Sequence, residues 1–477
     1  MFEEVMQPRR TFAERWFGDA APFLLARWLW LRALGLIFFA AFHSLWFQIH
    51  GLIGPTGILP ARDYLLYAKQ AVGAKAYWLI PSLLWIDASR ATLTAIVAAG
   101  LIASVLLTLN LWPRVMIAIA AICFLSFVAA AQDFSAYQSD GMLLEAAFLS
   151  LFLAPRGLRP GRGAHDPLTR AAVFLLQWEW FRIYFESGLV KILSGEEQWR
   201  NLTAMDKYYE NAPLPTPLAW HVQQWPHAFH AASAAMTLLI ELVLVFALFA
   251  PRTIRIALFA VATTLQIGII LTGNYAFLNY LVLALGVFLL DDRRAVIESR
   301  PIRQSHRVAF FAVIALSVIV LFAPATPPAR LIEPFRIVNA YGLFAVMTRA
   351  RYEIEFQGTR DGKTWVAYPF RYKPQDPREP PRFFAPYHPR LDWNLWFASL
   401  GDLSSNPWVL SVQHRLLADD PDVLRLFRRN PFGATPPMAV RAVIWQYWFT
   451  TREERARTGA WWNRRYLGEY APAQSRN

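Results

Sequence analysis

Long apolar runs separated by short basic turns fill the first two thirds of the chain, and the period changes in the last third. Apolar stretches fall at roughly 33–53, 92–111, 115–131, 139–154, 171–192, 230–250, 254–273, 275–290 and 308–324. About 20 apolar residues in a helix cross the hydrocarbon core of a bilayer, so the pattern predicts about nine spans. The stretch 139–154 is short and carries Glu145. Ala76–Ile86 is apolar but too short to cross, and reads as an interfacial segment. Trp28, Trp30 and Arg32 read as interfacial residues ahead of the first span.

From about Arg330 the helical period gives way to alternation. Tyr352–Phe356 and Thr364–Tyr368 flank a turn containing Asp361-Gly362, which predicts a β-hairpin. Leu391–Leu400 and Val409–Leu417 read as short helices, and Met438–Thr450 as a strand. The tail after Tyr470 reads as disordered. The fold class is therefore a polytopic α-helical membrane protein with a C-terminal extramembrane α+β domain. Residues 1–329 form the multi-span part, with interfacial or outer loops at 54–90 and 194–229, and residues 330–477 form the second domain.

Basic residues orient the spans. Arg156, Arg159, Arg162 and Arg170 lie in 155–170, Arg252 and Arg255 in 251–255, and Arg114 in 112–114. Arg293, Arg294, Arg300, Arg303 and Arg307 lie in 291–307. The alternate loops, 132–138 and Gly273–Asn274, hold none. Short loops rich in Lys and Arg stay cytoplasmic. Nine alternating spans then place the N-terminus in the cytoplasm and everything after Pro324 outside. Loop 54–90 does carry Lys and Arg, partly balanced by Asp63 and Asp87. Residues 1–21, with Arg9, Arg10 and Arg15, show no cleavable signal pattern.

Composition agrees: 56% of the 477 residues are hydrophobic and 17% charged. A net charge of +13 would suit nucleic acid, but the arginines cluster beside apolar spans, where they set orientation. Cys123 is the only cysteine, so no internal disulfide and no dithiol chemistry are available.

Charges inside apolar runs are the first candidate site. Glu179, Arg182 and Glu186 stand three and four apart and so share one helical face. Lys191 points partly away, and snorkelling to the outer interface would suit it. Asp140 and Glu145 belong to the preceding stretch. Intramembrane charges seek partners or a wet cavity. Two readings stay open: an ion-pair network that locks the helices, or a polar cavity doing proton chemistry or gripping a ligand.

Beyond it, Asn201-Leu-Thr203 is a glycosylation sequon. Pro213-Leu-Pro215-Thr-Pro217 is stiff and extended, either an exposed ledge or a rigid connector. His221, His227 and His230 lack a supporting carboxylate motif, so no metal is read there. In Tyr387-His-Pro-Arg390-Leu-Asp392-Trp393, Arg390 and Asp392 either pair across a turn or open a helix with Asp392 in its first turn. No motif of a soluble catalytic type (GxSxG, Walker A, GxGxxG or a kinase set) is present.

Over nearly its whole length the chain resembles the lipase maturation factor family. The N-terminal match is Ser44-Leu-Trp46, Gly51-Leu-Ile-Gly54 and Gly57-Ile-Leu-Pro60, followed by Asp140-Gly-Met-Leu-Leu-Glu145 and Gly188-Leu-Val-Lys-Ile192. The most specific stretch is Trp199-Arg-Asn-Leu-Thr203, Met205-Asp206, Tyr209-Glu210 and Pro213-Leu-Pro215. Val338-Asn-Ala-Tyr341-Gly, Arg351-Tyr-Glu353, Arg390-Leu-Asp-Trp393 and Trp396-Phe397 follow in the family's order.

The resemblance implies a multi-pass chaperone-like protein of the endoplasmic reticulum membrane, without a cofactor, that assists folding or assembly of secreted lipases. Its partners would be an exported lipase or other secreted client and the membrane lipids. Client-binding candidates are Trp199, Tyr208, Tyr209, Pro213, Pro215, Arg390, Asp392 and Trp393. Animal members carry several cysteines, one of them where this chain has Ala204, so a redox role is not carried over. Arginine in preference to lysine points to a bacterial-type homologue, whose place would be the cytoplasmic (inner) membrane. More weakly, Asp140…Glu145 and Ser187-Gly188…Lys191 resemble vitamin K-dependent γ-carboxylase-like proteins. That likeness implies the alternative, an enzyme in which Lys191 or a carboxylate abstracts a proton from a lipid-like or quinone-like substrate. A carrier ranks last, since neither inverted halves nor interrupted helix pairs are visible.

Overall fold

A computed structural model describes residues 23–135, 137–166, 168–291 and 304–476. Arg9, Arg10, Arg15, Arg293, Arg294, Arg300 and Arg303 lie outside them. The helices in order are α1 (Leu24–Ile53), α2 (Arg90–Thr108), α3 (Pro113–Ala130), α4 (Gln138–Leu153) and α5 (Arg170–Leu193). They continue with α6 (His227–Leu242), α7 (Arg252–Thr272), α8 (Leu278–Leu285), α9 (Gln304–Phe322) and α10 (Pro327–Ile332). Caps start them where the sequence supplies an acceptor: Ser89 takes the Thr92 amide ahead of α2, and Thr169 the Ala172 amide ahead of α5.

Among the described residues, five helices are long and apolar enough to cross a membrane: α1, α2, α3, α6 with its 3₁₀ extension to Phe249, and α7. A sixth follows if the pair Arg307–Phe322 and Pro327–Phe335, bent by 111°, counts as one span. The nine spans expected from apolar runs are thus not all reached by length and composition. The stretches 139–154, 171–192 and 275–290 are helical, but α4 and α8 are short and α5 carries four charged residues besides Arg170.

α1 is the central helix. It meets α2 so closely that a Cβ on Gly100 would stand 2.3 Å from the Phe42 ring. Around it, Phe38, Phe42, Phe124 and Phe277 pack edge to face at 5.8–6.3 Å. Trp30, read as interfacial, is instead fully buried and donates to Ser150 Oγ at 2.7 Å. The segment 61–85 forms a helix Ala61–Val72 and short turns, none of spanning length.

The C-terminal domain holds a four-stranded antiparallel sheet in the order β2-β1-β3-β4. β1 (Arg351–Thr359) and β2 (Trp365–Ala367) are the expected hairpin, with Gln357 opposite Ala367. β3 (Ala439–Phe449) pairs with β1 over nine residue pairs from Arg351↔Tyr447 to Thr359↔Ala439. The expected helices form as α11 (Arg390–Ala398) and α12 (Trp408–Leu417). The tail after Tyr470 is a correction: β4 runs Trp462–Ser475 and pairs Ala471 with Ala442 and Ser475 with Ala439. Its polar side chains hid it, because an edge strand with one solvated face need not be apolar.

Candidate functional site

Glu145 of α4 and Arg182 and Glu186 of α5 face a single segment of the C-terminal domain, 338–348, which lies across the helix ends as a strap. Arg182 donates from Nε to Glu186 at 2.7 Å and from Nη1 to Glu145 at 2.7 Å, and its Nη2 donates to the Asn339 carbonyl. Glu145 Oε2 then accepts from the Asn339 amide at 2.8 Å, from Asn339 Nδ2 at 3.1 Å and from the Tyr341 hydroxyl at 2.7 Å. Glu186 Oε2 accepts the Tyr341 amide at 2.8 Å. Ser187 Oγ accepts the Leu343 amide at 3.2 Å, and Gln138 Oε1 the Gly342 amide at 3.0 Å. The helical spacing of Arg182, Glu186 and Ser187 aims all three at one strap, whose backbone offers a carbonyl to Arg182 and amides to Glu186 and Ser187. Gly141 admits Asn339: a Cβ there would sit 2.7 Å from the Asn339 amide oxygen.

A second lock closes around Arg390. Its guanidinium makes two hydrogen bonds to Asp140, at 2.8 and 2.9 Å, and a third to the Phe134 carbonyl at 2.6 Å. Gln48 of α1 takes the Arg390 amide and donates to the His388 carbonyl, both at 2.9 Å. Arg390 therefore pairs with Asp140, not with Asp392. Asp392 sits in the first turn of α11 and accepts the amides of Tyr372 and Lys373 at 3.1 Å. Burial pushes its carboxyl up to about 6, opposed by those two amides. Burial, with Arg390 adding to it, holds the His388 imidazole well below its ordinary value, and its ring lies 4.6 Å from Tyr137 and 4.9 Å from Trp393.

A third lock joins loop 194–229 to the sheet. Arg351 donates to the Glu210 and Pro213 carbonyls at 3.2 and 2.8 Å and to that of Ala212, while Glu353 balances it at 2.5 Å. Trp199 Nε1 donates to Phe344 O at 2.9 Å.

The predicted residues thus fall into place unevenly. Asp140, Glu145, Arg182 and Glu186 converge on the C-terminal domain. Lys191 does not snorkel: it is buried and held by both oxygens of Glu241 at 2.8 and 2.9 Å. Glu179 is buried, and its carboxylate has no hydrogen-bond partner among the described residues. Trp199, Tyr208, Tyr209, Pro213, Pro215, Arg390, Asp392 and Trp393 are all buried, so the proline run is a packed connector and not an exposed ledge. Asn201 is exposed. His230 is buried against Tyr209, whereas His227 pairs with Asp206 at 2.9 Å. Sequence reasoning missed Glu241, the lone acid of its apolar run, and Gln48, whose polarity in α1 was its only signal.

Two family models match the chain. "Lipase maturation factor transmembrane domain" covers residues 25–297 and "Lipase maturation factor C-terminal domain" covers residues 337–472. Among curated proteins, lipase maturation factor 1 of Bos taurus is 33% identical, over 96% of this chain and 90% of its own length. Lipase maturation factor 1 of Homo sapiens is 31% identical, over 95% and 88%. Lipase maturation factor 2 of Gallus gallus is 30% identical, over 94% and 81%. No solved structure matches. With a family model over more than half its length, and relatives aligned through both the helical part and the sheet, this multi-pass membrane chain belongs to the lipase maturation factor family.

Proposed function

We propose that this chain is a membrane-embedded maturation factor that assists folding or assembly of secreted lipases or other exported proteins. The observation that carries the reading is the alignment with relatives named lipase maturation factors over 96% of this chain and 90% of the bovine protein, both domains included. The locks support it physically. A sheet domain pinned to the helical part by a buried ion pair and by hydrogen bonds to its strap is a rigid platform, and preorganised surfaces lose less entropy on binding. The basic turns support a platform on the side opposite the cytoplasm, which would be the endoplasmic reticulum lumen or the space beyond a bacterial inner membrane. Asp140, Glu145, Arg182 and Glu186 brace the platform, and Lys191 ties α5 to α6. Because the eight client-binding candidates are buried, we assign them to shaping the domain. Client contact falls to exposed apolar side chains such as Phe383, Tyr466 and Leu467.

Deleting the gene in its own host, and measuring secreted lipase activity per unit of lipase protein, tests this. Specific activity falls and is restored by the intact chain. Unchanged specific activity of every secreted lipase overturns the reading. The enzyme alternative gains nothing from the geometry. The cavity that reaches Lys191 holds about 80 Å³, well under the roughly 300–1,000 Å³ of ligand pockets.

A further inference from the structure

A cleft of about 530 Å³ opens between α3, α4, α9 and the entry to the strap. Val128, Val320 and Ala329 form apolar walls, and Glu333 and Arg336 line it as well. Its place in the fold is specific. The apolar helix pair Arg307–Phe322 and Pro327–Phe335 turns here through 111°. Trp78 donates to Leu331 O at 3.0 Å and meets the Phe335 ring edge-on at 4.8 Å. A Trp at the end of an apolar helix is characteristic of the headgroup level of a bilayer.

The charges in the cleft are opposite but loosely coupled. Arg336 Nη1 and Glu333 Oε1 are 3.7 Å apart, longer than a hydrogen bond, with side chains 42% and 66% exposed. Arg336 is also held in the left-handed region at φ +54°, where its carbonyl accepts Asn339 Nδ2 at 3.0 Å. Asn339 in turn donates to Glu145, so the cleft adjoins the strap lock.

We propose that this cleft binds a phospholipid whose headgroup carries a phosphate and a primary ammonium, of the phosphatidylethanolamine class. The guanidinium takes the phosphate oxygens, the Glu333 carboxylate accepts from the ammonium, and an acyl chain lies against Val128 and Val320. A choline headgroup has no N–H to give Glu333, and a glycerol headgroup has no cation. Bound there, the lipid seats the strap from the bilayer side. This inference is independent of the maturation reading, because its test needs no lipase.

The full-length chain is reconstituted in vesicles of equal phosphatidylethanolamine, phosphatidylcholine and phosphatidylglycerol, extracted in mild detergent, and its retained lipid quantified by mass spectrometry. The wild type retains phosphatidylethanolamine over the other two by about tenfold, the size of one charge-assisted hydrogen bond. Glu333→Gln abolishes the preference over phosphatidylcholine, and Arg336→Gln lowers retention of all three. Thermal midpoints measured in pure phosphatidylcholine show that each variant is folded. If Arg336→Gln is unstable, Glu333→Gln carries the test, since that side chain is mostly exposed. Retained lipid in the vesicle ratio overturns the proposal. So does a preference for phosphatidylglycerol that Glu333→Gln leaves intact, which makes the cleft an anionic-lipid site.

Discussion

Arg390 and Asp140, 250 residues apart, face each other in a two-pronged ion pair at 2.8 and 2.9 Å with neither side chain exposed to solvent. Arg390 also lies 4.7 Å over the Phe127 ring. Removing one member leaves the other buried and uncompensated, which costs about 3–5 kcal/mol. Asp140→Asn and Arg390→Met are each expected to lower the unfolding midpoint of the detergent-purified chain sharply. Arg390→Lys is expected to behave as a loss too, because an ammonium cannot reproduce the fork. The double variant Asp140→Leu/Arg390→Met recovers much of the stability. A double variant that is merely the sum of the singles contradicts this coupling.

Glu145 gathers donors from two domains: Arg182, Asn339 and Tyr341 all point to it. Tyr341→Phe removes one hydrogen bond to a charged acceptor, a loss of about 1.5–3 kcal/mol. Its first consequence is local. Arg336 and Arg349 flank the strap, so limited trypsinolysis there is expected to quicken in Tyr341→Phe and more in Asn339→Ala. Groups sharing one acceptor are not additive, with a coupling of about 0.5–3 kcal/mol. The pair Tyr341→Phe/Glu145→Gln is expected to cleave no faster than Glu145→Gln alone. Cleavage elsewhere in the chain, with the strap intact, counts against the lock.

What the sequence could yield followed from periodicity. Arg351–Thr359 and Trp365–Ala367 were legible because a DG turn between alternating runs has few other outcomes. Apolar run length located the long helices of the first two thirds, though not Ala61–Val72, and it did not tell which of them crosses a bilayer, since α4 and α5 are apolar yet charged. The face shared by Glu179, Arg182 and Glu186 was legible from spacing. The strap partners of Arg182 and Glu186 were not, because Asn339 and Tyr341 lie 153 or more positions downstream of Glu186. Hydrogen bonds to strap amides leave no side-chain signature at all. β4 was missed because an edge strand that alternates Arg, Tyr, Gly and Glu carries no apolar period.

Lys191 and Glu241 tie α5 to α6, the Nζ atom lying 2.8 and 2.9 Å from the two carboxylate oxygens. The Lys191 ammonium also stands 5.1 Å over the Trp199 ring. If the pair braces the helices, its chemistry is exchangeable so long as both charges leave together. Lys191→Met and Glu241→Gln are each expected to destabilise by about 3–5 kcal/mol, and the combination by much less. Support of lipase secretion by the folded double variant, measured in the deletion host, then stays near wild type. Loss of that support in a stably folded double variant shows that the ammonium itself is used.

Asp392 gives the molecule a titration that can be isolated. Its carboxyl is pushed from the ordinary 3.8 up to about 6, chiefly by burial. The folded state therefore holds the proton more tightly than the unfolded chain does. Between about pH 4 and pH 6 the folded state binds more protons, so this residue's contribution to stability falls as pH rises and is constant above that window. At 1.36 kcal/mol for each unit, the loss across the window is about 3 kcal/mol. Asp392→Asn keeps an oxygen for the Tyr372 and Lys373 amides and removes the titration. The difference in unfolding free energy, variant minus wild type, is expected to rise in favour of the variant from pH 4 to pH 6.5 and then level off. Denaturant titrations of the two purified proteins at half-unit steps of pH measure it directly. A difference that stays flat across the window shows that the two amides and Lys373 fully compensate the buried charge.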